Sequence, residues 1–71
     1  LLGPRQAEIL TLLYRVYPDG HDTGHLSRTM KYDQPDVYLT CNKLAGKYGL
    51  VEKDTTVSPH MYRLSAKLMG D

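Results

Sequence analysis

The stretch LSRTMKYDQPDV, residues 26–37, decides how this chain folds. Leu26 and Met30 stand four apart, which puts both side chains on one face of a helix. Lys31-Tyr32-Asp33 interrupts that helix within three residues. Asp33 has the side chain of an N-cap. Pro35 and Asp36 suit the turn that follows, since Pro leaves no N–H unpaired and an acid favours the positive end of a helix. Val37, four past the cap, is the first apolar residue of the next helix. Leu26, Met30, Tyr32, Asp33 and Val37 thus supply an apolar pair, a buried turn residue, a cap and an apolar entry. Two helices crossing at a large angle over a turn of three or four residues need these in this order.

Working outward, Val37, Cys41, Leu44 and Tyr48 continue one stripe, and Gly49 sits where a C-cap glycine belongs. This predicts a helix over 33–48, with Tyr48 packing as a plug. Upstream, Thr23 reads as the N-cap of the helix that carries Leu26 and Met30. Gly3-Pro4 opens an earlier helix whose stripe is Ile9, Leu13 and Val16, with Leu10 and Tyr17 beside it, and Pro18-Asp19-Gly20 stops it. Downstream, residues 50–53 and 60–64 are short strand candidates around the turn-rich segment 54–59. Ser65 is placed to cap a short last helix over 66–69. The predicted order is α-α-α-β-β with that optional C-terminal helix, an α+β fold in one domain spanning residues 1–71. The expected core is Ile9, Leu13, Val16, Leu26, Met30, Val37, Cys41, Leu44, Leu50 and Leu64.

Composition narrows the function. With 71 residues, 41% hydrophobic and 24% charged, the chain has the balance of a small globular domain rather than a disordered one. Trp and Phe are absent, so six Tyr carry all aromatic packing. The single Cys41 excludes an internal disulfide and the paired-cysteine metal and redox motifs. Lying on the inward stripe, it reads as a buried structural thiol. No apolar run approaches the length of a membrane span, and no signal-peptide core is visible. The chain starts at Leu1 without Met, which reads as a trimmed or excised fragment. Net charge is only +1. No Ser/His/Asp or Cys/His arrangement, phosphate loop or paired-carboxylate motif is present, so no enzyme is expected. No cofactor and no metal are expected either. His21 and His25 are four apart, but a cap at Thr23 places His21 outside the helix, so the pair need not share a face.

Three further pieces extend the pattern: LGPRQAEILTLL for the first helix, NKLAGKYGLVEK for the end of the third helix and the first strand, and HMYRLSAKLMG for the second strand. With them the chain resembles the winged helix-turn-helix DNA-binding domains of MarR-type and related prokaryotic regulators. The resemblance covers nearly the whole chain and is closest at "YGLV" and "YRLS". Two departures stand out. Residues 44–49 hold one residue more than usual, and Lys31 occupies the turn position where the family usually has glycine.

The resemblance implies binding to double-stranded DNA, with the recognition helix (33–48) in the major groove, the preceding helix across the backbone and a wing over 50–64. With Val37, Cys41 and Leu44 inward, the outward positions are Gln34, Asp36, Tyr38, Leu39, Asn42 and Lys43. Gln34 and Asn42 suit adenine, Lys43 guanine or phosphate, Asp36 a cytosine amine and Leu39 a thymine methyl. Tyr38 suits phosphate or a base edge. His60 and Arg63 would lie near the minor groove or the backbone. Asn42, Gln34 and Tyr38 are the expected base readers, and Lys31 and Arg63 the expected phosphate contacts. Arg28, Lys31, Lys43, Lys47, Lys53 and Arg63 each have two readings, a phosphate contact or an ordinary solvated side chain. Between Thr23 and Arg63 six Lys/Arg face four Asp/Glu, and the recognition helix itself is neutral. That low charge keeps a winged-helix protein-interaction module as the rival reading. The family's habits imply a homodimer, through the first helix (Leu12, Tyr14) or the C-terminal segment (Leu68, Met69). They also imply a transcriptional regulator, or the DNA-binding part of a replication, partition or mobile-element protein, working in the cytoplasm and on the nucleoid when bound.

Overall fold

A Pro at the first helical position opens α1 (Pro4–Val16) in the computed structural model, which describes residues 2–70. Gln6 reaches back so that its Oε1 accepts from the Gly3 amide at 2.9 Å, satisfying one of the amides a helix start leaves unpaired. Next comes α2 (Thr23–Met30), one residue off the expected start. Asp22, not Thr23, is its N-cap and accepts from the His25 amide at 2.8 Å. Lys31 then ends α2 in the left-handed region, with φ 54° and ψ 47°. A left-handed residue is what lets the chain reverse within three residues, and here a lysine adopts it without the freedom of glycine.

The third helix, α3 (Gln34–Gly46), begins after Asp33, which holds the N-cap position without a side-chain hydrogen bond. It stops two residues short of the expected end. The Tyr48 amide reaches back to the Lys43 carbonyl at 3.3 Å, and the Leu50 amide to that of Leu44 at 3.0 Å. These wider loops take up the extra residue, and Gly49 turns the chain at φ 66°. Tyr48 is rotated off the inward stripe and is exposed rather than a plug, with Lys47 against its ring at 5.4 Å.

The hairpin is β1 (Val51–Asp54) antiparallel to β2 (Met61–Leu64), with Val51 opposite Leu64 and Lys53 opposite Tyr62. A third short pairing is not marked in the sequence: His21 and Tyr62 exchange two backbone hydrogen bonds, of 2.9 and 2.8 Å. Gly20 lies so close to the Tyr62 carbonyl that a Cβ would collide with backbone, which explains a glycine there. The expected C-terminal helix is replaced by consecutive turns from Ser65 to Gly70, braced where Glu52 Oε2 accepts from the Ala66 amide at 3.1 Å.

Three helices followed by this hairpin make the winged helix-turn-helix topology. The core joins Ile9 and Leu13 of α1, Leu26 and Met30 of α2, Val37, Cys41 and Leu44 of α3, and Val51, Tyr62 and Leu64 of the hairpin. Val16 and Leu50, expected inside, are half-buried. Val51 and Tyr62 take their share, because the loop after α3 shifts the strand by one residue and alternation then turns Val51 inward.

Candidate nucleic-acid interface

With Val37, Cys41 and Leu44 fully buried, the opposite pole of α3 falls at Leu39, which is 65% exposed. Its neighbours divide between two concavities. On the α1 side, Asp36, Leu39, Thr40 and Lys43 face Gly3, Pro4, Arg5, Gln6 and Tyr32. On the wing side, Tyr38 forms a notch with Thr23 of α2 and with Ser58, Pro59, His60 and Tyr62 of the wing. The ridge of α3 therefore stands between two open grooves and carries Tyr38 and Leu39 outward.

Most of the expected residues lie around this ridge. Gln34 is exposed at the start of α3, and its Nε2 donates to Thr23 Oγ1 at 3.2 Å. Asp36 and Lys43 are exposed on the α1 side, and Tyr38 is exposed on the wing side. Lys31 and Arg28 are exposed at the turn and in the last turn of α2. Lys47 is exposed at the C-cap of α3. His60 is exposed on the rim of the notch.

Two further expected contacts, besides Gln34, are already engaged within the molecule. Asn42 is half-buried and turned towards the wing, where its Oδ1 accepts from the Tyr62 hydroxyl at 3.1 Å and from Lys53 Nζ at 3.5 Å. Arg63 spans two carboxylates, 3.6 Å from Glu52 and 3.5 Å from Asp54. Asp54 is held below its ordinary carboxylate range, first by the Thr56 hydroxyl and amide and then by Arg63, so it stays charged opposite that arginine.

Lys53 is where sequence reasoning stopped short. Its ammonium lies 5.1 Å from the Tyr38 ring centre and 5.7 Å from that of Tyr62, within cation–π range of both. Burial pushes the Tyr62 phenol up, with Lys53 pulling the other way, so Tyr62 remains a protonated donor to Asn42. The signal for Lys53 was alternation. It shares a strand face with Val51, and its cross-strand partner is Tyr62, so it points towards α3 rather than away.

His21 and His25 do share a face, their rings stacked with centres 4.0 Å apart. Among the described residues, no group of three or more His, Cys, Asp or Glu is placed to hold a metal ion. Burial pushes the Cys41 thiol up to about 12, consistent with a packing role. No helix among the described residues is long and apolar enough to cross a membrane. Comparisons with protein families, with curated proteins and with solved structures return no match to this chain.

Proposed function

We propose that this chain binds double-stranded DNA by laying α3 in the major groove with the wing against the adjoining backbone. The observation that carries the reading is the exposed ridge of α3, which projects between two open grooves within a winged helix-turn-helix topology. Such a ridge has the width of a single helix, which the major groove admits. Gln34, Asp36, Tyr38, Leu39 and Lys43 are the side chains that face base edges, Asn42 being turned towards the wing. Arg28, Lys31, Lys47 and His60 flank the ridge as backbone contacts, with Arg63 the weakest of the set because Glu52 and Asp54 already compensate it. The role is that of a cytoplasmic transcriptional regulator of MarR-like type, or of the DNA-binding part of a replication, partition or mobile-element protein.

A homodimer completes the proposal, because paired helix-turn-helix modules read successive half-sites. An apolar groove lined by Leu10, Thr11, Tyr14, Leu64, Leu68 and Met69 supports its placement on α1 and the C-terminal turns. Leu12 belongs to the half-buried side and packs against the core instead. Sedimentation at high concentration, with and without a symmetric site, tests this; a monomer in both conditions contradicts it.

The rival reading, a protein-interaction module, is favoured by one observation. Tyr38 and Leu39 expose adjoining apolar surface on a helix whose charges, Asp36 and Lys43, cancel. Selection from a random duplex pool separates the two. Enrichment of a motif supports DNA reading, and retention of no duplex above background by the folded protein supports the rival.

A further inference from the structure

The wing has two basic side chains, Lys53 and Arg63, and their surroundings differ. Arg63 is matched by two carboxylates. Among the described residues Lys53 has no carboxylate within ion-pair distance, yet its ammonium is not loose. It is held over the rings of Tyr38 and Tyr62 and against Asn42 Oδ1. A lysine normally gives up rotamer freedom when it grips a partner. Here two aromatic faces and one amide oxygen have fixed it beforehand, with its charge uncompensated. Tyr38 and Tyr62 also wall the notch between α3 and the wing, whose other walls are Thr23, Ser58, Pro59 and His60.

We propose that Lys53 is the wing's phosphate-contacting residue, taking one backbone phosphate of duplex DNA where its ammonium lies between α3 and the wing, with Asn42 as the positioning residue that aims it. The inference rests on the DNA-binding reading above. It assigns Asn42 a different task from base recognition: its Oδ1 holds the ammonium in place, and the Tyr62 hydroxyl holds Asn42.

Lys53→Met keeps the stem and removes the charge, while Lys53→Arg restores a cation. Fluorescence anisotropy on a selected duplex and on a random one, over a range of salt, reads the outcome, with melting curves confirming that each variant is folded. Lys53→Met should weaken both duplexes alike and lower the salt slope by about one, the loss of one phosphate contact, and Lys53→Arg should restore the slope. Asn42→Ala should weaken both duplexes by the same factor, leaving base preference unchanged. A single neutral methylphosphonate, scanned along the backbone, should weaken the wild type at one phosphate to which Lys53→Met is indifferent. A folded Lys53→Met protein with the wild-type slope overturns the inference while leaving DNA binding intact. Loss of preference at one base pair in Asn42→Ala overturns its positioning role. A wild type that binds no duplex overturns the DNA-binding reading itself, and this inference with it.

Discussion

The Tyr62 hydroxyl donates to Asn42 Oδ1 across 3.1 Å, fastening the second strand of the wing to the third turn of α3. Tyr62 is only 1% exposed and its backbone also pairs with His21, so one residue ties the wing to α3 and to the loop before α2. Tyr62→Phe keeps the buried ring and deletes only the bond. It should cost about 0.5–1.5 kcal/mol, the net worth of an ordinary internal hydrogen bond. Urea denaturation checks this; unchanged stability would show that the bond contributes nothing to the wing's attachment.

Lys31 and the turn it makes give a prediction in which stability and binding part company. An L-residue in the left-handed region costs roughly 1–2 kcal/mol, and glycine recovers part of this at some entropic cost of its own. Lys31→Gly should therefore raise stability by about 0.5–1 kcal/mol. The same change removes a cation beside α3, so on the proposed function affinity for cognate and random duplexes should fall together. A destabilised Lys31→Gly variant would contradict the backbone argument. A stabilised one with undiminished affinity would remove Lys31 from the interface.

The stacked pair His21 and His25 predicts a pH dependence. Burial first, and the neighbouring His25 second, lower His21 from its ordinary value of 6.5, with Asp22 opposing. The unfolded chain thus takes up the proton more readily than the folded one. Stability is full above 6.5 and is lost as pH falls through that value towards the folded one. Melting temperature should drop between neutral and mildly acidic pH, and His21→Gln should flatten the drop. Asp54 acts in a separate window: its contribution is present above its ordinary value of 3.8 and is lost only in stronger acid. An identical drop in His21→Gln would place the sensitivity elsewhere.

Core register is tested at Leu44 and Cys41, both 0% exposed on the inward face of α3. Leu44→Ala should cost roughly 2–5 kcal/mol, a large share of the stability of so small a domain. Cys41, buried and with its thiol pushed up to about 12, should react with a thiol reagent at neutral pH only as fast as the chain unfolds. An unchanged melting temperature for Leu44→Ala, or prompt labelling of Cys41 in the folded protein, would contradict the register.

What could be read in advance follows from the range of each signal. The helix order, the turn at Lys31 and the inward stripe of Val37, Cys41 and Leu44 are local patterns of cap, breaker and period, and they stand in the structure as expected. The His21–Tyr62 bridge joins residues far apart in the chain and carries no local mark. The position of Tyr48 is not legible locally, because an added residue can either extend a helix or open the loop after it, and the hydrogen bonds to Lys43 and Leu44 take the second course. Around α3 and the wing, helical period marks the exposed ridge but not which side chains hold one another. The engagement of Asn42 by Tyr62 and Lys53, and of Arg63 by Glu52 and Asp54, depends on strand register, which the hairpin turn fixes.

The central claim, that α3 and the wing grip duplex DNA, is tested most directly by fluorescence anisotropy on a selected duplex as salt is raised. Contacts from Lys31, Lys53 and one or both of Arg28 and Lys47 amount to about three or four phosphates, so log affinity should fall against log salt with a slope of about −3. A flat salt response, or no binding to any duplex at low salt by a folded protein, would contradict the account and leave the exposed ridge of α3 as a surface for another protein.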